Sequence, residues 1–168
     1  VSKVYQENRE KILNQATQMK EVFKNLNQKN AVIKQDLEQY VEKILNYTDE
    51  VNGGFKGAPK FPQFYIFDTI LHFYSKTNNK KYLNVVEKLI LSLSSKGIYD
   101  HLEGGISRYT VDEKWIVPHF EKMLYDNIQY VNLLNNYLSI KKSDYLKKKL
   151  KQTIKFINSE FLIKNNLL

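Results

Sequence analysis

The 168-residue chain has no cysteine, which excludes disulfide cross-links, thiol nucleophiles and thiolate metal centres. It has no apolar run approaching the roughly 18 residues of a membrane span. Its first residues, Val1-Ser2-Lys3-Val4-Tyr5-Gln6, lack the apolar core of a signal peptide. These absences predict a soluble, cytoplasmic protein with no membrane contact. Arginine is nearly missing as well: Arg9 and Arg108 are the only two among 26 basic residues, although the net charge is +8. Phosphate-binding grooves favour the planar guanidinium fork. The lysines are scattered, and the densest cluster (Lys147, Lys148, Lys149 and Lys151) falls on a helical stretch. A solvated basic face, without nucleic-acid binding, is the expectation.

Glycine and proline are scarce and unevenly placed. All six Gly and all three Pro fall within residues 52–63 and 97–122, together with the single Trp115, Arg108, His101 and His119. Elsewhere the pattern is amphipathic helix. Apolar residues recur at helical spacing over about 5–26 (Tyr5, Ile12, Met19, Leu26) and about 32–48 (Leu37, Val41, Ile44, Leu45). The same spacing covers about 63–76 and 79–95 (Tyr82, Val86, Leu89, Leu93), then about 118–140 and 142–164 (Leu146, Leu150, Ile154, Phe161). The third segment is apolar nearly all round, so His72 within it is expected to be a satisfied core group. Short polar breaks at 76–79 and 141–144 predict antiparallel helical hairpins. Three such pairs side by side imply an architectural repeat of about 50 residues in a single domain, 1–168. Within the second glycine-bearing segment, Ile106–Thr110 and Lys114–Val117 predict a small β-hairpin, and Pro118 suits the first position of the fifth helix.

Two blocks carry a family resemblance. Gly53-Gly54-Phe55-Lys56-Gly57-Ala58-Pro59-Lys60-Phe61-Pro62 is the first. The second runs from Gly97-Ile98-Tyr99-Asp100-His101 through Arg108-Tyr109-Thr110-Val111-Asp112-Glu113-Lys114-Trp115 to Pro118-His119-Phe120-Glu121-Lys122-Met123-Leu124-Tyr125-Asp126-Asn127. Together they resemble the YyaL-like family, which includes spermatogenesis-associated protein 20, over roughly residues 1–165. The resemblance implies an all-α fold, the first half of an (α/α)6 toroid of six-hairpin glycosidase-like shape. The thioredoxin-like domain and the C-terminal half of the toroid that accompany it in such proteins are absent from this sequence. The family pattern often has His where Ser107 stands, Gln at His101, and Gly at Glu103 and Lys56.

A toroid of this kind gathers its helix N-termini around a central cavity. On a helix, His119, Lys122 and Asp126 would share one face, and His119 could serve as general acid/base. The alternative is that these groups, with Asn127, cap the helix and tie neighbouring hairpins together. Asp100 and Glu121 are the carboxylate pair if the chemistry is hydrolytic; equally, Asp100 could satisfy loop N–H groups. Arg108 suggests planar pairing with a substrate anion or, more favourably, with Asp100 or Asp112. Tyr109 and Trp115 could stack on a sugar, as could Tyr99, Phe55 and Phe61; equally, these aromatics could be lids packed on the helix ends. Lys60 would sit near the mouth, where anchoring the loop is favoured over a catalytic part. A metal site from His101, Glu103 and His119 can be drawn, but nothing in the spacing singles it out, so neither metal nor cofactor is expected.

The resulting expectation is a toroid fragment that binds or processes a carbohydrate-like ligand. Catalysis would be glycosidase- or epimerase-like, and incomplete in this fragment. The alternative is a non-catalytic module for a thioredoxin-like partner domain. Uncovered toroid edges would favour self-association.

Overall fold

A computed structural model describes residues 5, 6, 8–26 and 37–162, and the chain divides into two compact units, Val1–Asp36 and Leu37–Leu168. The first unit contains helix α1 (Arg9–Leu26), with Glu10 in its first turn and Lys24 in its last, each favourably placed on the helix dipole. The second contains α2 (Leu37–Leu45), α3 (Phe64–Thr77), α4 (Lys80–Ser95), α5 (Leu124–Ile140) and α6 (Asp144–Phe161). The expected start of the second helix, at 32–36, lies outside the described residues. Among the described residues the regular structure is all helical, with only isolated β-bridges besides. No described helix is long and apolar enough to cross a membrane.

The core follows helical spacing. Phe64, Phe67, Ile70 and Leu71 of α3 are buried with Tyr82, Val86, Leu89, Ile90 and Leu93 of α4, and with Tyr130, Leu133, Leu134 and Tyr137 of α5. Asn78 turns the first hairpin in the left-handed region, its N–H donating to the Tyr74 carbonyl. The Asn79 side chain then caps α4 by accepting the Lys81 N–H at 3.1 Å. Ser143 does the same for α6, accepting from Leu146. Helix α3 packs on α4 and α5, α5 also packs on α6, and α4 touches α6, so the helices form two layers, α3/α5 and α4/α6. His72 is exposed, contrary to the expected core role.

The β-hairpin and the start of the fifth helix both need correction, for one reason. Backbone pairing joins 108–111 to 117–121: Val111 N–H donates to the Val117 carbonyl, His119 N–H to Tyr109, and Arg108 N–H to Glu121. Only Thr110 and Pro118 meet as a bridge there, and Thr110 bridges Lys60 on its other side. Asp112 organises the turn, its carboxylate accepting the N–H groups of Lys114, Ile116 and Val117. Residues 118–121 are therefore spent in extended pairing, and the helix begins only at Leu124. His119 and Lys122 do not lie on a helix, so the shared face predicted for His119, Lys122 and Asp126 does not exist.

The structure also shows a repeat that the amino-acid identities obscure. Asp49 N–H donates to the Gly54 carbonyl, Gly53 N–H to Asp49, and the Asp49 carboxylate accepts the N–H groups of Val51 and Asn52. Fifty-one positions later Asp100 N–H donates to Gly105, Gly104 N–H to Asp100, and the Asp100 carboxylate accepts from Leu102 and Glu103. Each aspartate is also held by a lysine at 2.6 Å: Lys60 for Asp49, Lys122 for Asp100. Gly54 and Gly105 close the two turns at φ +76° and +84°, and an added Cβ would strike Trp115 at 2.7 Å or Phe156 at 2.5 Å.

Candidate functional site

Five of the residues assigned to a site from sequence are structural. Lys60, 1% exposed, donates to Asp49 and to the Glu113 carbonyl and lies 5.0 Å from the centre of the Trp115 ring. Burial alone would lift the Asp49 carboxyl, but the Asn52 and Val51 N–H groups and the Lys60 ammonium hold it well below the usual carboxylate range. Trp115 is fully buried, and its indole N–H donates to the carbonyls of Asn52 and Gly53. It cannot stack on a ligand. Lys122 donates to Asp100 and to the Gly104 carbonyl and sits 4.4 Å over the Phe156 ring. Burial alone would lift the Asp100 carboxyl, but the Lys122 ammonium and the Glu103 and Leu102 N–H groups hold it below the usual carboxylate value. With both oxygens committed, Asp100 is a loop organiser and not half of a hydrolytic pair. Asp112 is likewise consumed by its turn, so neither is the partner expected for Arg108.

Asn127 is the fifth. It is buried, its Oδ1 accepting the Ile106 N–H at 2.7 Å and its Nδ2 donating to the carbonyls of Ile106 and Met123. That amide replaces a missing strand partner for Ile106. Asn127→Leu should cost about 2–4 kcal/mol, because both polar groups of Ile106 would be left buried and unmet. Urea denaturation of the wild-type chain and the variant measures it. A loss below about 1 kcal/mol would show that the amide is not the anchor.

The remaining residues do converge. Arg108 and Glu121, adjacent through their backbone pairing, bring Nη1 and Oε2 to 3.6 Å, and Glu121 Oε2 lies 3.9 Å from His119 Nδ1. The His119 ring stacks on Tyr109 (centroids 4.7 Å apart, planes 13° apart), and Tyr109 in turn stacks on Phe61 at 4.7 Å. Asp126 rises from the first turn of α5, within electrostatic reach of Arg108 and Glu121. Asp126 and Arg108 line a cleft of about 190 Å³ shared with Phe61, Gln63, Tyr65, Tyr125 and Gln129. Asp126 Oδ2 is buried without a hydrogen-bond partner.

Electrostatics single out that carboxyl. Burial pushes Asp126 up to about 6, Glu121 adds to the rise, and Arg108 only partly offsets it. A group titrating there can hold or release a proton near neutral pH. An unsatisfied acid beside a guanidinium, on the wall of a cleft that Phe61 also lines, can bind a polar ligand and exchange a proton with it.

Sequence reasoning named His119, Glu121, Asp126, Arg108 and Tyr109, and these are brought together. It missed Gln63, Tyr65, Tyr125 and Gln129. For the last two a signal existed: their i, i+4 spacing flanks Asp126 on the same helix. Gln63 enters by a left-handed backbone, φ 52°, just before α3, which sequence does not announce. Among the described residues no group of three or more His, Asp and Glu is arranged to hold a metal ion. His101 serves a different cluster from His119, bonding to Lys149 and the Lys96 carbonyl.

No family model matches the chain. Over 101 residues, 56% of this chain, it is 37% identical to an uncharacterised protein of Caenorhabditis elegans, and the match spans 14% of that protein. Over 85 residues, 48% of this chain, it is 38% and 36% identical to the human and mouse proteins called spermatogenesis-associated protein 20, covering 11% of each. The matched region is thus a small part of these relatives.

Proposed function

We propose that this chain is part of an α/α-toroid whose loop rim binds, and in a longer protein processes, a carbohydrate-like ligand. Asp126 is the acid/base group, Arg108 and Glu121 are its polar neighbours, and Phe61, backed by Tyr109 and lining the same cleft, offers an apolar face for a sugar ring. The observation that carries this reading is the Asp126 carboxyl, half-buried in the wall of a cleft with its Oδ2 unmet by any hydrogen bond. The two-layer packing of α3/α5 and α4/α6 supports the toroid, since stacked helical hairpins produce an inner and an outer layer. A glycosidase- or epimerase-like reaction requires a proton donor that titrates near neutrality, which is the property argued for Asp126.

A thermal-shift panel of mono- and disaccharides, sugar phosphates and uronic acids tests the proposal. A ligand present at about 100 times its Kd stabilises by about 2.7 kcal/mol, roughly 5–10 °C for a chain of this size. The shift should disappear in Arg108→Gln and Asp126→Asn. A flat response across the panel would overturn it.

A second reading, a non-catalytic module that docks a thioredoxin-like partner domain, draws on the repeated loops. Val51 and Leu102 occupy the same position two residues after the organising aspartate and are 82% and 92% exposed. Capture of a thioredoxin-like domain that is lost in Val51→Ser/Leu102→Ser, with no sugar response, would favour it.

A further inference from the structure

Away from the Asp126 cleft, a second hollow of about 490 Å³ lies where the 97–106 loop meets α6. We propose that this hollow, floored by Lys149 and walled by His101, Tyr145, Lys148, Gln152 and Lys155, binds a small, multiply charged anion of the phosphate or pyrophosphate class.

The argument starts from Lys149. It is 8% exposed, yet none of its partners is a carboxylate: its Nζ lies 3.0 Å from His101 Nδ1, 4.1 Å from the Tyr99 ring centroid and 5.8 Å from that of Tyr145. Buried ammonium groups are normally paired, because desolvation is costly without a counter-charge. The histidine cannot supply one. Its Nε2 sits 3.1 Å from the Lys96 carbonyl oxygen and must donate there. Nδ1, 3.0 Å from the Lys149 ammonium, then takes the acceptor role in that contact. The ring faces of Tyr99 and Tyr145 ease the burial but carry no net charge. Burial and the neighbouring Lys148 hold the Lys149 ammonium below its usual value, and a bound anion would reverse that.

The surroundings add charge of the same sign. Lys148, Gln152 and Lys155 follow i, i+4, i+7 spacing along α6, so they line one stripe beside Lys149, with Lys151 adjoining. Among the described residues none of these lysines forms an ion pair. Gln152 is fixed in place, its Nε2 donating to the carbonyls of His101 and Leu102 and its Oε1 accepting from the Tyr99 hydroxyl. The Tyr145 hydroxyl is held by the Ser94 carbonyl at 2.7 Å. A buried cation without a counter-charge, set in a preorganised wall and crowded by further cations, is the complement of a compact polyanion. A solvated helix face would account for Lys148, Lys151 and Lys155. It does not account for the burial of Lys149.

Calorimetric titration of the full chain with inorganic phosphate, pyrophosphate and a hexose phosphate tests this. The expected result is saturable one-to-one binding of pyrophosphate, weakened about tenfold or more in Lys149→Gln. It should be essentially unchanged in Lys147→Gln, which removes the same charge outside the hollow. Should Lys149→Gln fail to fold, Lys155→Gln on the exposed rim should weaken binding several-fold. In the wild-type chain the ring protons of His101 should shift in NMR spectra as pyrophosphate is added. A hexose phosphate binding more tightly than inorganic phosphate would identify a phosphomonoester as the occupant; equal affinity would identify the free anion. Absence of saturable pyrophosphate binding, equal losses in Lys147→Gln and Lys149→Gln, or tight oligonucleotide binding that pyrophosphate fails to displace would each overturn the proposal. None of these outcomes depends on Asp126.

Discussion

Trp115→Ala is expected to destabilise the Leu37–Leu168 unit by about 3–5 kcal/mol, the range for removing a fully buried large aromatic. Three effects act together. The ring fills space against Gly54, where the nearest approach admits no Cβ on the glycine. The indole N–H satisfies the carbonyls of Asn52 and Gly53, which belong to the other glycine-bearing loop. The ring face also lies beside Lys60, whose ammonium is otherwise held only by Asp49 and one carbonyl. Trp115 thereby fastens the two loops to each other. Trp115→Phe separates the terms: it keeps most of the apolar volume and removes the donor, so about 1–3 kcal/mol should be lost. Both variants retain the left-handed backbone at this position (φ 65°), so its strain cancels from the comparison. Urea denaturation followed by tyrosine fluorescence gives the two values. If alanine costs no more than phenylalanine, the ring is not packing the loops together and the proposed fastening is wrong.

The contrast between what sequence revealed and what it hid has a physical basis. Helices α3, α4 and α6 were placed within two or three residues at each described boundary because burial repeats at their own period, as with Tyr82, Val86, Leu89 and Leu93. The start of α5 differs: the apolar spacing and Pro118 predict about 118, six residues before the observed Leu124. Pro118 is compatible with a first helical turn, but the competing pairing of 118–121 with 108–111 is a long-range event that no local pattern reports. The same limit governs the site. Uneven placement of Gly, Pro, Trp and His located the loops correctly, yet residue type alone could not tell ligand-facing groups from loop anchors. Lys60, Lys122, Asp100 and Asn127 have the chemistry of binding residues but spend it internally. Asp126 has less conspicuous chemistry, and only its missing partner distinguishes it. The Asp49 and Asp100 turns were invisible as a repeat because their common content is backbone hydrogen bonding around Asp and Gly-Gly, with every residue between them free to differ.

Asp126→Asn is expected to stabilise the protein at neutral pH while removing any ligand response that depends on this site. In the folded chain the carboxyl titrates at about 6, against about 3.9 when unfolded. The folded state therefore binds the extra proton between those values, and its stability falls as pH rises through that window. Above it, the ionised Asp126 stays half-buried near Glu121, and the penalty reaches about 1–3 kcal/mol. Asp126 is only half-buried, so solvent screens part of its charge, which is why a value near the middle of that range is expected and not its upper end. Asparagine removes the charge and with it the penalty. Denaturation curves of wild type and Asp126→Asn should therefore differ most near pH 7 and converge near pH 4. Asp49 and Asp100 act in the opposite sense. Their depressed values add stability above about pH 4 that is lost on acidification, and both sequences share that loss. A difference that persists unchanged at pH 4 would mean that asparagine acts through packing and not through charge. Stability gained at neutral pH together with a lost ligand response would mark Asp126 as a group kept for function against the interest of the fold.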